Sequence, residues 1–147
     1  MAGQNREFVE FVEIDWCREL DEIKRVLDQS SPRQSIKAKA ATAQTLVDSL
    51  NDHPSILHIT CHGFLDVSKN KKRGKMSQAS DPDAELELVS LLLETDEGDG
   101  QLLSAKELKQ KLSSSHAMLD LIILQACHSE KIGRVFQEKY AHNVICI

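Results

Sequence analysis

Two apolar runs hold the residues with the most chemistry in them. One reads Ser55-Ile56-Leu57-His58-Ile59-Thr60-Cys61-His62-Gly63, the other Leu119-Asp120-Leu121-Ile122-Ile123-Leu124-Gln125-Ala126-Cys127. Short apolar runs of this kind suit buried strands of a parallel sheet. As neighbouring strands they would bring His62 and Cys127 out together at the carboxyl edge, where open α/β sheets place their ligands. A thiol beside an imidazole makes a nucleophile. A free thiol, with a pKa of about 8.5, is only a few per cent ionised at neutral pH; a histidine within reach takes its proton and later gives it to a leaving group. The plainer role for a strand-end cysteine is that of a small apolar core residue.

Strand parity sorts the other candidates. His58, Thr60 and His62 share one face of the first run, and Leu57, Ile59 and Cys61 the other. His58 lies about 13 Å back from His62 at about 3.3 Å per residue, which makes it a supporting residue of the core or of the site and not the base. Cys61 is expected under a helix, and Cys17 and Cys146 in the core. Thr60 or a main-chain carbonyl is left to orient His62, since no third catalytic member is evident. His128 follows Cys127 and either lines a groove or meets solvent. Gly63, lacking a Cβ, lets its N–H approach a substrate closely.

His58, Cys61, His62, Cys127 and His128 are all metal-ligand types. No Cys-x-x-Cys pair or finger spacing accompanies them, and parity divides His58 from Cys61, so no metal is expected. No Gly-rich phosphate loop follows a strand, and no other cofactor is expected.

Apolar runs alternate with helix-period segments, the pattern of a parallel sheet covered by helices. Phe8 to Ile14 reads as a strand, Cys17 to Leu27 as a helix broken by Ser30-Ser31-Pro32, and Ile36 to Ala40 as a weak strand. Thr42 caps a helix bearing Leu46, Val47 and Leu50. Asp66 to Asp83 is a long polar loop, and Leu86 to Leu93 a strand of a hairpin or edge that ends in the Asp96-Glu97-Gly98-Asp99-Gly100 turn. Ser104 and Glu107 form a capping box for a helix with Leu108 and Leu112 inward. Ile132, Val135, Phe136 and Tyr140 mark another helix before the strand Val144 to Ile147.

The chain of 147 residues suits one domain with a real core, and its net charge of −5 argues against nucleic acid as a partner. Its basic cluster, Lys69-Asn70-Lys71-Lys72-Arg73-Gly74-Lys75, reads as a solvated loop. The four scattered cysteines lack the spacing of a secreted disulfide scaffold. No signal segment or membrane-length apolar stretch appears, so a cytoplasmic setting without membrane contact is expected. The final Val144-Ile145-Cys146-Ile147 reads as an unfinished strand, which suggests a fragment.

The endings Ile-Leu-His-Ile-Thr-Cys-His-Gly and Leu-Ile-Ile-Leu-Gln-Ala-Cys-His-Ser resemble the CHAT domain, a caspase-like module associated with tetratricopeptide repeats. The resemblance implies an α/β fold: a caspase-like three-layer sandwich with a mainly parallel central sheet and helices on both faces, incomplete in this chain. Residues 1–7 would be a disordered start, 8–147 the N-terminal and central part of the domain, and about 66–83 a flexible loop. It further implies a cysteine endopeptidase acting through a thioester acyl-enzyme, with His62 as base, Cys127 as nucleophile, and the N–H groups of Gly63 and Cys127 as the oxyanion hole. The implied partners are a peptide or protein substrate and a tetratricopeptide-repeat or other regulatory region outside this chain. Gln125-Ala126-Cys127 echoes the caspase signature, but His128-Ser129 departs from it, so no substrate preference carries over. The same residues fit a catalytically silent caspase-like module that binds partners.

Overall fold

A computed structural model describes residues 15–30, 35–67 and 85–147. The chain divides into two compact units, 1–37 and 38–147. The first contains helix α1 (Trp16–Asp28), whose N-cap Asp15 accepts from the Arg18 N–H at 3.1 Å. Leu20, Ile23 and Leu27 recur on one half-buried stripe, as the periodicity requires. The strand expected at Phe8 to Ile14 lies outside the described residues, as does the basic cluster.

The stretch leading into the second unit has no regular secondary structure. Ile36 to Ala40, expected as a strand, joins no ladder; the stretch alternates alanine and lysine, which give a sheet little to bury. Pairing is confined to a bridge between Thr42 and Glu94. Thr42 then caps α2 (Ala43–Asn51) reciprocally with Thr45, and Leu46 and Leu50 of this helix are buried.

Strand β1 (Ile56–Thr60) stops one residue short of Cys61, and β2 (His62–Leu65) starts one residue after it. The run through Gly63 is therefore two strands in two sheets. β2 pairs antiparallel with β3 (Val89–Glu94), and β3 with β4 (Gly100–Ser104). The expected strand at Leu86 to Leu93 thus starts later, because Glu85 and Leu86 are helical, and it belongs to a hairpin closed around Thr95–Asp99. Ser104 and Glu107 form the expected capping box of α3 (Ala105–Lys111), which continues into a 3₁₀ turn, Leu112–Ser114. Ion pairs Lys106–Glu87 (2.6 Å) and Lys131–Glu85 (3.0 Å) hold the segment entering β3.

The second sheet is parallel throughout, in the order β1-β5-β6, with β5 (Leu119–Gln125) central and β6 (Ala141–Cys146) beside it. Helix α4 (Glu130–Lys139) connects β5 to β6. Register aligns Ile59, Leu124 and Cys146 across one face, where Ile59, Ile122 and Leu124 are buried. On the other face Ile56 and Ile145 are exposed. α4 rests on β6 through Gly133, where a Cβ would collide with the Cys146 sulfur. Ile132, Val135, Phe136 and Tyr140 are buried as expected, with Phe136 and Tyr140 edge-to-face at 6.5 Å. Cys17 and Cys146, expected in the core, are exposed; β6 is an edge strand whose residues after Ala141 are mostly open to solvent. The result is a mixed α/β fold with four helices wholly within the described residues, consistent with a caspase-like architecture.

Candidate functional site

The site is built where the parallel sheet ends. β1 and β5 run side by side to the pair Thr60 and Gln125, and the Cys61 N–H donates to the Gln125 carbonyl at 3.2 Å. The two apolar runs are thus adjacent and parallel, as their composition predicts, and each leaves the sheet within two residues of that last pair. Ala126 stays buried and donates its N–H to the Ile147 carbonyl at 3.2 Å. Cys127 opens the turn into α4 and is exposed.

His128 follows with φ 55°. That left-handed backbone strains a residue other than glycine, although histidine adopts it more readily than most. Ser129, the N-cap of α4, is buried, but its side chain makes no capping bond. The His128 side chain is exposed.

On the other side, the switch between sheets at Cys61 delivers His62 and Gly63 to the start of β2. His62 is half-buried there. Gly63 lies directly against the main chain of Cys127: a Cβ at residue 63 would collide with the Cys127 carbonyl oxygen and stand 2.7 Å from its carbonyl carbon and 3.0 Å from its nitrogen. The obstacle is backbone, so no side-chain rotation makes room. This contact fixes the main chain of the His-Gly pair relative to that of Cys127.

The remaining candidates divide as parity predicts. His58 Nε2 lies 3.4 Å from Thr60 Oγ1, so these two side chains share a face of β1. Cys61 points the opposite way into the core, and burial pushes its thiol up to about 12. It stays protonated at neutral pH and cannot compete as a nucleophile. Among the described residues no group of three or more His, Cys, Asp or Glu side chains could hold a metal ion. No described helix is long and apolar enough to cross a membrane.

The adjacency of the two apolar runs is legible in the sequence, but the reason for Gly63 is not: its first neighbour is the Cys127 backbone and not a substrate. β2 is a strand beyond the expected elements, although Phe64 and Leu65 continue the apolar run past Gly63.

The family model described as "CHAT domain" matches residues 16–142, which covers both apolar runs and the turn after Cys127. No curated protein matches the chain.

Proposed function

The chain belongs to the CHAT domain family, and on that premise we propose that it is a cysteine endopeptidase domain of caspase-like type working through a Cys127–His62 dyad. The observation that supports this reading is the main-chain contact between Gly63, the residue after His62, and Cys127, whose side chain is exposed.

The Cys127 sulfur attacks the carbonyl carbon of a peptide bond as His62 takes the thiol proton. The resulting tetrahedral oxyanion is held by the N–H groups of Gly63 and Cys127, donors of the kind whose single loss costs about 100- to 1000-fold in rate. Collapse breaks the C–N bond, His62 protonates the leaving amine, and a thioester remains. Water, deprotonated by His62, then adds to the thioester carbonyl and releases the acid and the thiol. His58 and Thr60, side by side on one face of β1, serve as supporting residues, and the exposed His128 is available to a bound substrate. Control by a tetratricopeptide-repeat or other regulatory region fits this reading.

The test is selective acylation. A small thiol-reactive acylating probe is expected to label Cys127 at least tenfold faster than the exposed Cys17 and Cys146, and replacing His62 with alanine is expected to abolish that advantage. Equal labelling of the three would favour the partner-binding module without catalysis.

A further inference from the structure

The two halves of the site belong to different sheets: His62 and Gly63 start β2, and Cys127 follows β5. They meet where Gly63 packs on the Cys127 main chain. A contact at one point fixes a distance but permits a pivot, and a pivot changes how an imidazole faces a thiol. A second link, made away from the first, removes that freedom.

Residues 85–88, which lead into β3, supply it. They form a turn in which Leu88 is buried and donates its N–H to the Glu85 carbonyl at 3.2 Å. The turn is bound to the end of β2, since the Asp66 N–H donates to the Leu88 carbonyl at 2.8 Å. Glu87 binds it to α3 through Lys106 at 2.6 Å. Its third tie goes to α4, where Lys131 Nζ donates to Glu85 Oε2 at 3.0 Å across 46 residues of sequence. Lys131 lies in the first turn of α4, which the Gly133 N–H closes by donating to the Ser129 carbonyl at 2.7 Å, two residues past Cys127. From His62 the contacts therefore run through β2, Leu88, Glu85 and Lys131 to Ser129, and the Gly63 contact completes a ring. Helix stability does not call for this lysine. The first turn of a helix favours negative charge, so a lysine there has the wrong sign. Both side chains reach solvent, and exposed pairs add little to global stability. What the pair supplies is a fixed relation between the entrance to β3 and the helix behind Cys127.

We propose that Lys131 is a positioning residue: its ion pair with Glu85 sets the first turn of α4, and with it Cys127, at the angle to β2 at which His62 takes the thiol proton. This rests on the cysteine peptidase reading. Lys131 touches no reacting atom and acts through the alignment of the dyad.

The test follows labelling of Cys127 by the small acylating probe across pH in the full chain. Lys131→Met removes the charge and keeps the length of the stem. It is expected to slow labelling at neutral pH about tenfold, less than the about 100-fold that a 1 Å misplacement can cost. It should also move the midpoint of the pH profile up toward the about 8.5 of a free thiol. Exchanging the charges, Glu85→Lys with Lys131→Glu, is expected to restore both rate and midpoint. Glu138→Gln, which removes the 4.0 Å contact with Lys109 at the far end of α4, is expected to change neither. In a His62→Ala background Lys131→Met is expected to have no effect. A wild-type rate and midpoint in Lys131→Met, no recovery in the exchanged pair, or equal slowing without His62 would each overturn the positioning role. The dyad itself stands or falls on whether His62→Ala alone slows labelling, so the two failures are distinguishable.

Discussion

Gly63 and Cys127 meet main chain to main chain, and that contact makes Gly63 irreplaceable in a way its conformation does not. Alanine at position 63 has to push the Cys127 carbonyl aside, which distorts the turn that presents the thiol. Gly63→Ala is expected to cost about 1–3 kcal/mol of stability, the usual range for forced overpacking. It should also slow labelling of Cys127 at least tenfold; urea unfolding and probe kinetics check the two effects. Cys61 offers a second test at this scale. Its thiol is raised from 9.0 to about 12 by burial. Below pH 9 both folded and unfolded chains keep the proton, and the stability is complete. Between pH 9 and about 12 the unfolded chain gives up a proton that the folded chain retains, so stability falls as pH rises, by up to about 1.4 kcal/mol per pH unit. Cys61→Ala is expected to remove that slope. Burial also raises Tyr140, but it does so in both chains, so the difference between them isolates Cys61. Equal slopes would mean that the thiol is not desolvated.

The elements that present the site were legible to different degrees, for physical reasons. β1 and β5 are apolar runs that each follow a helical segment, so their adjacency followed from pattern. The Ser104–Glu107 capping box and the Thr42 cap were legible because a side chain and an N–H at fixed spacing are local. The switch between sheets at Cys61 was not, because the alternation of β1 continues unbroken through His62 and nothing local marks the bend. β4 was hidden by its exposed Gly100, Gln101 and Leu102, and the start of β6 by His142 and Asn143, which face solvent at an edge. α4 makes the sharpest prediction about an element. Gly133 lets it rest on Cys146 and Val144, with the Val144 methyl 3.4 Å from where a Cβ would stand. Replacing glycine by alanine inside a helix ordinarily gains about 1 kcal/mol. Gly133→Ala is therefore expected to show that gain only when Cys146 is also alanine, and to gain nothing or lose in the wild-type chain. A double-mutant cycle reads the coupling, and identical effects in both backgrounds would show that the helix does not bear on the sulfur.

Within residues 38–147 the two sheets share one hydrophobic cluster. Leu91 of the antiparallel sheet and Ile122 of the parallel sheet are both fully buried in it, together with Leu108 of α3 and Phe136 of α4. Each half of the site comes from a different sheet: Cys127 follows β5, and Gly63 belongs to β2. Their alignment therefore depends on the common core as much as on the local contact. Truncating a buried leucine or isoleucine to alanine costs about 2–5 kcal/mol. Leu91→Ala and Ile122→Ala are each expected to lower the stability of the whole unit by that amount in a single transition, with amides of both sheets losing protection together in hydrogen exchange. Separate transitions for the two sheets would mean that the core does not couple them. In the coupled case Leu91→Ala, although Leu91 belongs to the antiparallel sheet, should also expose Cys61 to alkylation at the rate of global unfolding, because its thiol is reached only when the shared core opens.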